Sequence, residues 1–157
     1  MKRLPIDQLS RKKYFVLNRF TKFEIATAIA ILFHTIGLTG LLFFDKTFFL
    51  AATPFNLLLS FALLVWTQQE KNKYFFLFVL ACFVVGVAVE MIGINTGFLF
   101  GDYAYGPVLG PQVMNVPLLI GINWFIIIYC CGIAIHTLLM KEFLRQPANH
   151  GLLWLYH

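Results

Sequence analysis

The apolar residues of this chain gather into four blocks, 25–44, 47–66, 74–94 and 117–140, each nearly free of charge, rather than recurring at a helical or strand period within mixed sequence. Blocks of about twenty residues match the thickness of a hydrocarbon slab when wound into helix. Lipid offers backbone groups no partners, so spanning segments are helices or closed barrels, and these blocks are too long and too evenly apolar for barrel strands. The pattern predicts an all-α integral membrane bundle of four transmembrane helices forming a single domain, 1–157. The first block ends in Leu41, Leu42, Phe43 and Phe44 without a small-residue cleavage site, so it reads as a span and not as a leader.

Basic residues set the orientation. The arm 1–24 and the tail 141–157, together with the loop at Lys71 and Lys73, carry eleven of them, whereas the opposite side carries Lys46 alone. By the positive-inside rule both termini face the cytoplasm and the chain is integral to the cytoplasmic (inner) membrane. The arm interleaves its cations with Tyr14, Phe15, Leu17, Phe20 and Phe23, a mix suited to the lipid interface. The stretch 95–116 then becomes an outer loop with four glycines, two prolines and Phe98, Phe100, Tyr103 and Tyr105, but no lysine or arginine. Loops of this length without their own secondary structure are commonly functional. In the tail, Pro147 to Gly151 breaks the helix before a short apolar run.

Composition narrows the function. At 60% hydrophobic and 12% charged the chain is neither disordered nor an ordinary soluble domain. The net charge of +5 lies mostly in the arm beside a hydrophobic block, so anionic lipid is its partner and nucleic acid is not. Cys82, Cys130 and Cys131 fall inside the blocks without CxxC spacing and read as packing residues. No metal spacing, phosphate loop, nucleophile elbow or dinucleotide fingerprint is found, and neither cofactor nor metal is expected. A transporter would show an internal repeat or a ring of pore charges, and neither is seen.

Polar residues within the blocks are the candidates for chemistry, because an ionisable side chain at the bilayer centre costs about 2.5 to 3.5 kcal/mol on insertion scales and normally faces the bundle interior. Glu90 follows Gly86 by four and precedes Gly93 by three, which makes one close-packing helical face with a carboxyl between two glycines. His34 shares a face with Thr27, Ala30 and Gly37, and Asn56 shares one with Thr53, Ser60 and Thr67. At about 1.5 Å per residue, His34 and Asn56 lie about 14 Å into their blocks and Asn123 about 9 Å from the outer end of its own. Depth alone thus suggests a polar cavity from midplane to outer face, with interhelical hydrogen bonds as the plainer role for each member. His136 lies on a diverging face and is left out. Asp102 in the loop is either a solvated acid or a functional one.

The run from Glu90 through Gly93, Thr96, Gly97, Phe100, Gly101, Tyr103 and Tyr105, continuing past Val116, Pro117 and Leu118 to Trp124, resembles the carotenoid biosynthesis membrane proteins that include the carotenoid 1′,2′-hydratases. Three elements carry the resemblance: E-x-x-G-x-x-T-G, F-G-x-Y-x-Y and V-P-L. Members are longer, with further spans toward the C-terminus, and this sequence is short there. A homo-oligomer or another carotenoid enzyme is therefore an expected partner. The resemblance implies that water adds across the terminal double bond of an acyclic carotenoid such as lycopene or gamma-carotene. An isolated alkene is a poor base, so this needs a positioned acid, and a carboxyl in an apolar setting can serve. Glu90 is the candidate acid. Phe98, Phe100, Tyr103, Tyr105 and Trp124 are candidates for stabilising the cation through their ring faces, and Asp102, Asn95 or Asn123 for placing the water. His34 and Asn56 complete the expected substrate-binding set. The alternatives are a lycopene-cyclase-like enzyme on the same substrates and a non-catalytic carotenoid-binding or scaffold subunit. In membrane cyclases the last motif's proline is followed by acidic residues, whereas Pro117 is followed by Leu118, Leu119 and Ile120, which counts against cyclisation.

Overall fold

The computed structural model describes residues 20–145. The basic arm up to Arg19 and the tail from residue 146 onward lie outside the described residues. Helix α1 (Lys22–Phe43) starts at a capping box in which the Thr21 hydroxyl accepts from the Glu24 amide while the Glu24 carboxylate accepts from the Thr21 amide at 2.7 Å. Asp45 caps the six-residue α2 (Lys46–Ala51), and α3 (Thr53–Thr67) follows directly. Helix α4 (Lys73–Thr96) begins at Asn72, whose side chain accepts from the Phe75 amide at 3.0 Å. It ends at Gly97, whose φ of 63° is the left-handed conformation that lets its amide bond back to the Gly93 carbonyl. After a 3-10 turn at Pro107–Leu109, the two-residue strands β1 (Gln112–Val113) and β2 (Val116–Pro117) pair antiparallel. Met114 and Asn115 between them both take positive φ, the type I′ geometry of a tight hairpin. Helix α5 (Leu119–Arg145) completes the fold.

The chain is an all-α membrane bundle, but the second apolar block is not one helix. Pro54 stands in the first turn of α3. A helix running unbroken through it would set the proline ring against the carbonyl four residues earlier and lose a hydrogen bond, so the block divides at Ala52. Of the resulting pieces, α3 rises about 22 Å, short of the roughly 30 Å hydrocarbon core. Helices α1, α4 and α5 are the three described elements long and apolar enough to cross a membrane. Away from their mutual contacts they expose many apolar side chains, among them Ile31, Leu77, Leu80, Val84, Ile133 and Leu138. A soluble protein would not leave such a surface uncovered.

Helices α4 and α5 form the tightest pair, and each contributes a glycine to the other's aromatic. A Cβ on Gly86 would lie 2.5 Å from Cβ of Trp124, and one on Gly121 would lie 2.4 Å from the Phe83 ring. Without a hydrophobic driving force between helices in lipid, this close packing is what holds such a pair. Toward one end Phe125 is fully buried among Phe61, Phe75 and Tyr129 at edge-on or tilted angles. Toward the other, Val87, Val116 and Ile120 pack with Tyr105, Leu109 and Trp124, which brings the connection between α4 and α5 down onto the helices.

Gly86→Val is expected to destabilise the bundle by about 1–3 kcal/mol through overpacking against Trp124. Gly132→Ala, whose added carbon meets open space, is expected to change stability little. Unfolding midpoints in detergent compare the two.

Candidate functional site

Glu90 lies nearly two turns before the end of α4 at Thr96 and is 8% exposed, the buried acid of the described core. Its glycine neighbours on the same face decide what can approach it. The bare backbone of Gly86 admits Trp124 from α5, and the bare backbone of Gly93 admits the Phe100 ring, 2.6 Å from where a Cβ would stand. The connection then turns at Gly97, bends at Asp102 and carries no regular structure from Tyr103 to Gly106. Tyr103 and Tyr105 both reach back to Glu90, their rings edge-on at 5.5 Å, while Ala104 between them is exposed.

Three donors converge on the carboxyl. Oε2 of Glu90 accepts from the hydroxyls of Tyr103 and Tyr105, the latter at 3.0 Å, and Oε1 accepts from the indole N–H of Trp124 at 3.1 Å. Burial raises the Tyr103 and Tyr105 hydroxyls above the usual tyrosine range, and the bonds to Glu90 and its charge raise them further. The loop is tied in place by residues that the motif reading missed or assigned elsewhere. Gln112 donates to the Gly106 carbonyl at 2.9 Å and, at 3.5 Å, to that of Tyr105. Gln112 opens the first strand of the hairpin, and as an uncharged loop residue outside the apolar blocks it carried no sequence signal of this role.

Of the residues expected at the site, Glu90, Tyr103, Tyr105 and Trp124 come together, and Phe100 stands behind them, edge-on to Tyr103 at 6.4 Å. The others do not join them. Phe98 is 86% exposed just past the end of α4 and faces away. Asn95 donates to the Met91 carbonyl at 2.7 Å and to that of Met114 at 3.5 Å, so it tethers the hairpin to α4. Asp102 is exposed, beside Gly97. Asn123 is half-buried next to Trp124 but is not a partner of Glu90. His34 and Asn56 line a separate groove between α1 and the α2–α3 pair. The single polar cavity inferred from depth therefore does not form. Depth places residues at one level of a bilayer, but the helices that carry them face different neighbours. Among the described residues no three His, Cys, Asp or Glu side chains cluster as metal ligands would.

The family model for carotenoid biosynthesis proteins matches residues 49–154, about two thirds of the chain. This chain belongs to the carotenoid biosynthesis protein family. No curated protein and no solved structure matches it. The whole Glu90 constellation lies within the matched stretch, whereas His34 precedes it. For a carotenoid biosynthesis protein the arrangement is chemically apt. It sets one polar group, fully partnered, among aromatic rings in a helix long and apolar enough to cross a membrane.

Because folding raises the Tyr103 and Tyr105 hydroxyls, the stability they contribute is present below the unfolded tyrosine value of about 10 and is lost as pH rises through the higher folded values. Unfolding of the native chain measured across pH is expected to show this alkaline decline. Tyr103→Phe with Tyr105→Phe is expected to be less stable at neutral pH, by about 1–3 kcal/mol for each acceptor site left unmet, and to decline less steeply above about pH 10.

Proposed function

We propose that this carotenoid biosynthesis protein is a hydratase that adds water across the terminal 1′,2′ double bond of an acyclic carotenoid end group, with Glu90 as the acid. The observation that carries the reading is the buried carboxyl of Glu90 with three donors aimed at it and aromatic rings beside it. Protonation of the alkene at its less substituted carbon forms a C–H bond and leaves a tertiary cation. Water then forms the C–O bond, and the proton it sheds returns to Glu90. The sum is alkene plus water giving a tertiary alcohol, with the acid regenerated.

The physical difficulty is that a carboxyl in an apolar site has no water to stabilise it once its proton has gone. Here the Tyr103 and Tyr105 hydroxyls and the Trp124 indole already point at the oxygens where that charge develops, so stabilisation needs no reorganisation during the step. The same rings offer their faces to the cation, an attraction of about 2 kcal/mol or more where water is excluded. Asp102 on the connection and Asn95 in the last turn of α4, both exposed, are the groups assigned to place the water. Leu118, Leu119 and Ile120 after Pro117 supply no second acid for a cyclase-type step.

In a host accumulating lycopene, the chain is expected to yield a pigment heavier by one water, detected by liquid chromatography and mass spectrometry. Glu90→Gln, checked for folding and membrane insertion, is expected to lower that yield by at least about a hundredfold, the low end for loss of a general acid. An isomer of unchanged mass would point instead to cyclisation. Hydration that survives Glu90→Gln sinks the assignment of the acid, and unmodified pigment with folded native chain sinks the hydratase reading.

A further inference from the structure

The two hydroxyls that meet Oε2 of Glu90 reach it from different supports. Tyr103 stands against the Phe100 ring, and Phe100 in turn fills the space that Gly93 leaves. Tyr105 packs instead on the cluster of Val87, Val116 and Ile120, beside the hairpin. Their rings touch edge-on, but the segment Tyr103–Gly106 has no regular structure and so no ladder of backbone bonds to fix its path. Among the described residues, Gln112 is the side chain that bonds to its backbone.

The hairpin that carries Gln112 is itself anchored. Strand β2 is its fixed part, because Val116 and Pro117 are buried. Asn95 ties the turn to α4 through the Met114 carbonyl at 3.5 Å, and the Leu118 amide closes the open end by donating to the Pro111 carbonyl at 3.0 Å. Strand β1 rides on β2, with Gln112 opposite Pro117. From there Gln112 reaches the carbonyls of Gly106 at 2.9 Å and Tyr105 at 3.5 Å. Carbonyls only accept, so the amide nitrogen and not the amide oxygen faces them. Gln112 is exposed, and its replacement opens no void in the core.

We infer that Gln112 is a positioning residue for the Glu90 site: by holding the Tyr105–Gly106 peptide to the anchored hairpin it sets the Tyr105 hydroxyl on Oε2, and it leaves Tyr103 to its own support. A phenol hydroxyl sits at the end of a rigid ring, so a shift of the backbone is carried to its oxygen. From 3.0 Å, a displacement of about 1 Å takes the bond out of range. The effect on catalysis rests on the hydration reading, in which Tyr105 receives the charge that develops on Glu90. The coupling between Gln112 and the Tyr105 hydroxyl does not rest on it.

The test is Gln112→Met in the full chain in phosphatidylcholine nanodiscs, alone and combined with Tyr105→Phe or Tyr103→Phe. Methionine keeps the length of the side chain and removes the donor. Should it fail to fold, Gln112→Glu replaces it, equal in shape and without a hydrogen to donate at neutral pH. Site-resolved NMR of ring-labelled tyrosine is expected to show the Tyr105 signal shifted toward that of a water-bonded phenol while the Tyr103 signal keeps its hydrogen-bonded position. On lycopene, Gln112→Met is expected to lower kcat about tenfold with KM unchanged, within the cost of a 1 Å misplacement of a group that acts in the transition state. That loss is expected to vanish in the Tyr105→Phe background and to persist in the Tyr103→Phe background. An unchanged Tyr105 signal, a loss carried by KM, or an equal loss in the Tyr105→Phe background overturns the positioning role. Native chain that leaves lycopene unmodified overturns the hydration reading, and the Tyr105 signal then decides the positioning by itself.

Discussion

A carboxyl carried into the membrane-facing part of a helix must find donors within the protein, because lipid provides none. Much of the ordered connection in this molecule is arranged to meet that requirement at Glu90. Its two oxygens accept from Tyr103, Tyr105 and Trp124, which belong to two separate stretches of chain beyond α4. The bend at Asp102, the hairpin that follows the tyrosines and the packing of α5 on α4 all serve to hold those three donors in reach. Gln112 and Asn95 secure the same connection through backbone carbonyls.

The glycines are the other side of this constraint. Trp124 reaches Glu90 because Gly86, one turn before it, leaves room for the indole, and Phe100 settles behind the tyrosines because Gly93 leaves room for its ring. In a soluble protein the hydrophobic effect would draw such helices together whatever their surface. In a bilayer, close approach and polar contacts must do so, so packing and the partnering of Glu90 support one another. The chemistry proposed for the site uses the same donors in the same positions. What stabilises the folded carboxyl also receives the charge when its proton leaves.

The two helix pairings differ in how they meet their polar groups. The α4–α5 pair with its overlying connection holds a carboxyl that is completely partnered, whereas the α1–α3 seam holds Asn56, whose buried Oδ1 has no partner among the described residues. His34, Ser60 and Thr67 on that seam bond to backbone carbonyls of their own helices.

The sequence alone determined that this is an all-α membrane bundle, since long uncharged apolar blocks admit few other structures. It singled out Glu90, because an acid in such a block is rare, and Y-x-Y spacing with E-x-x-G pointed to the elements that meet there and to the family. Tertiary structure decided the rest. It divided the second block at Pro54, turned Phe98 outward while Tyr103 and Tyr105 turned in, gave Asn95 to the hairpin, and separated His34 and Asn56 from Glu90. The reason is geometric. Periodicity and residue count report the depth of a side chain and the face of its own helix, but which neighbour that face meets depends on helix pairing and loop path, set by contacts between residues far apart in the chain.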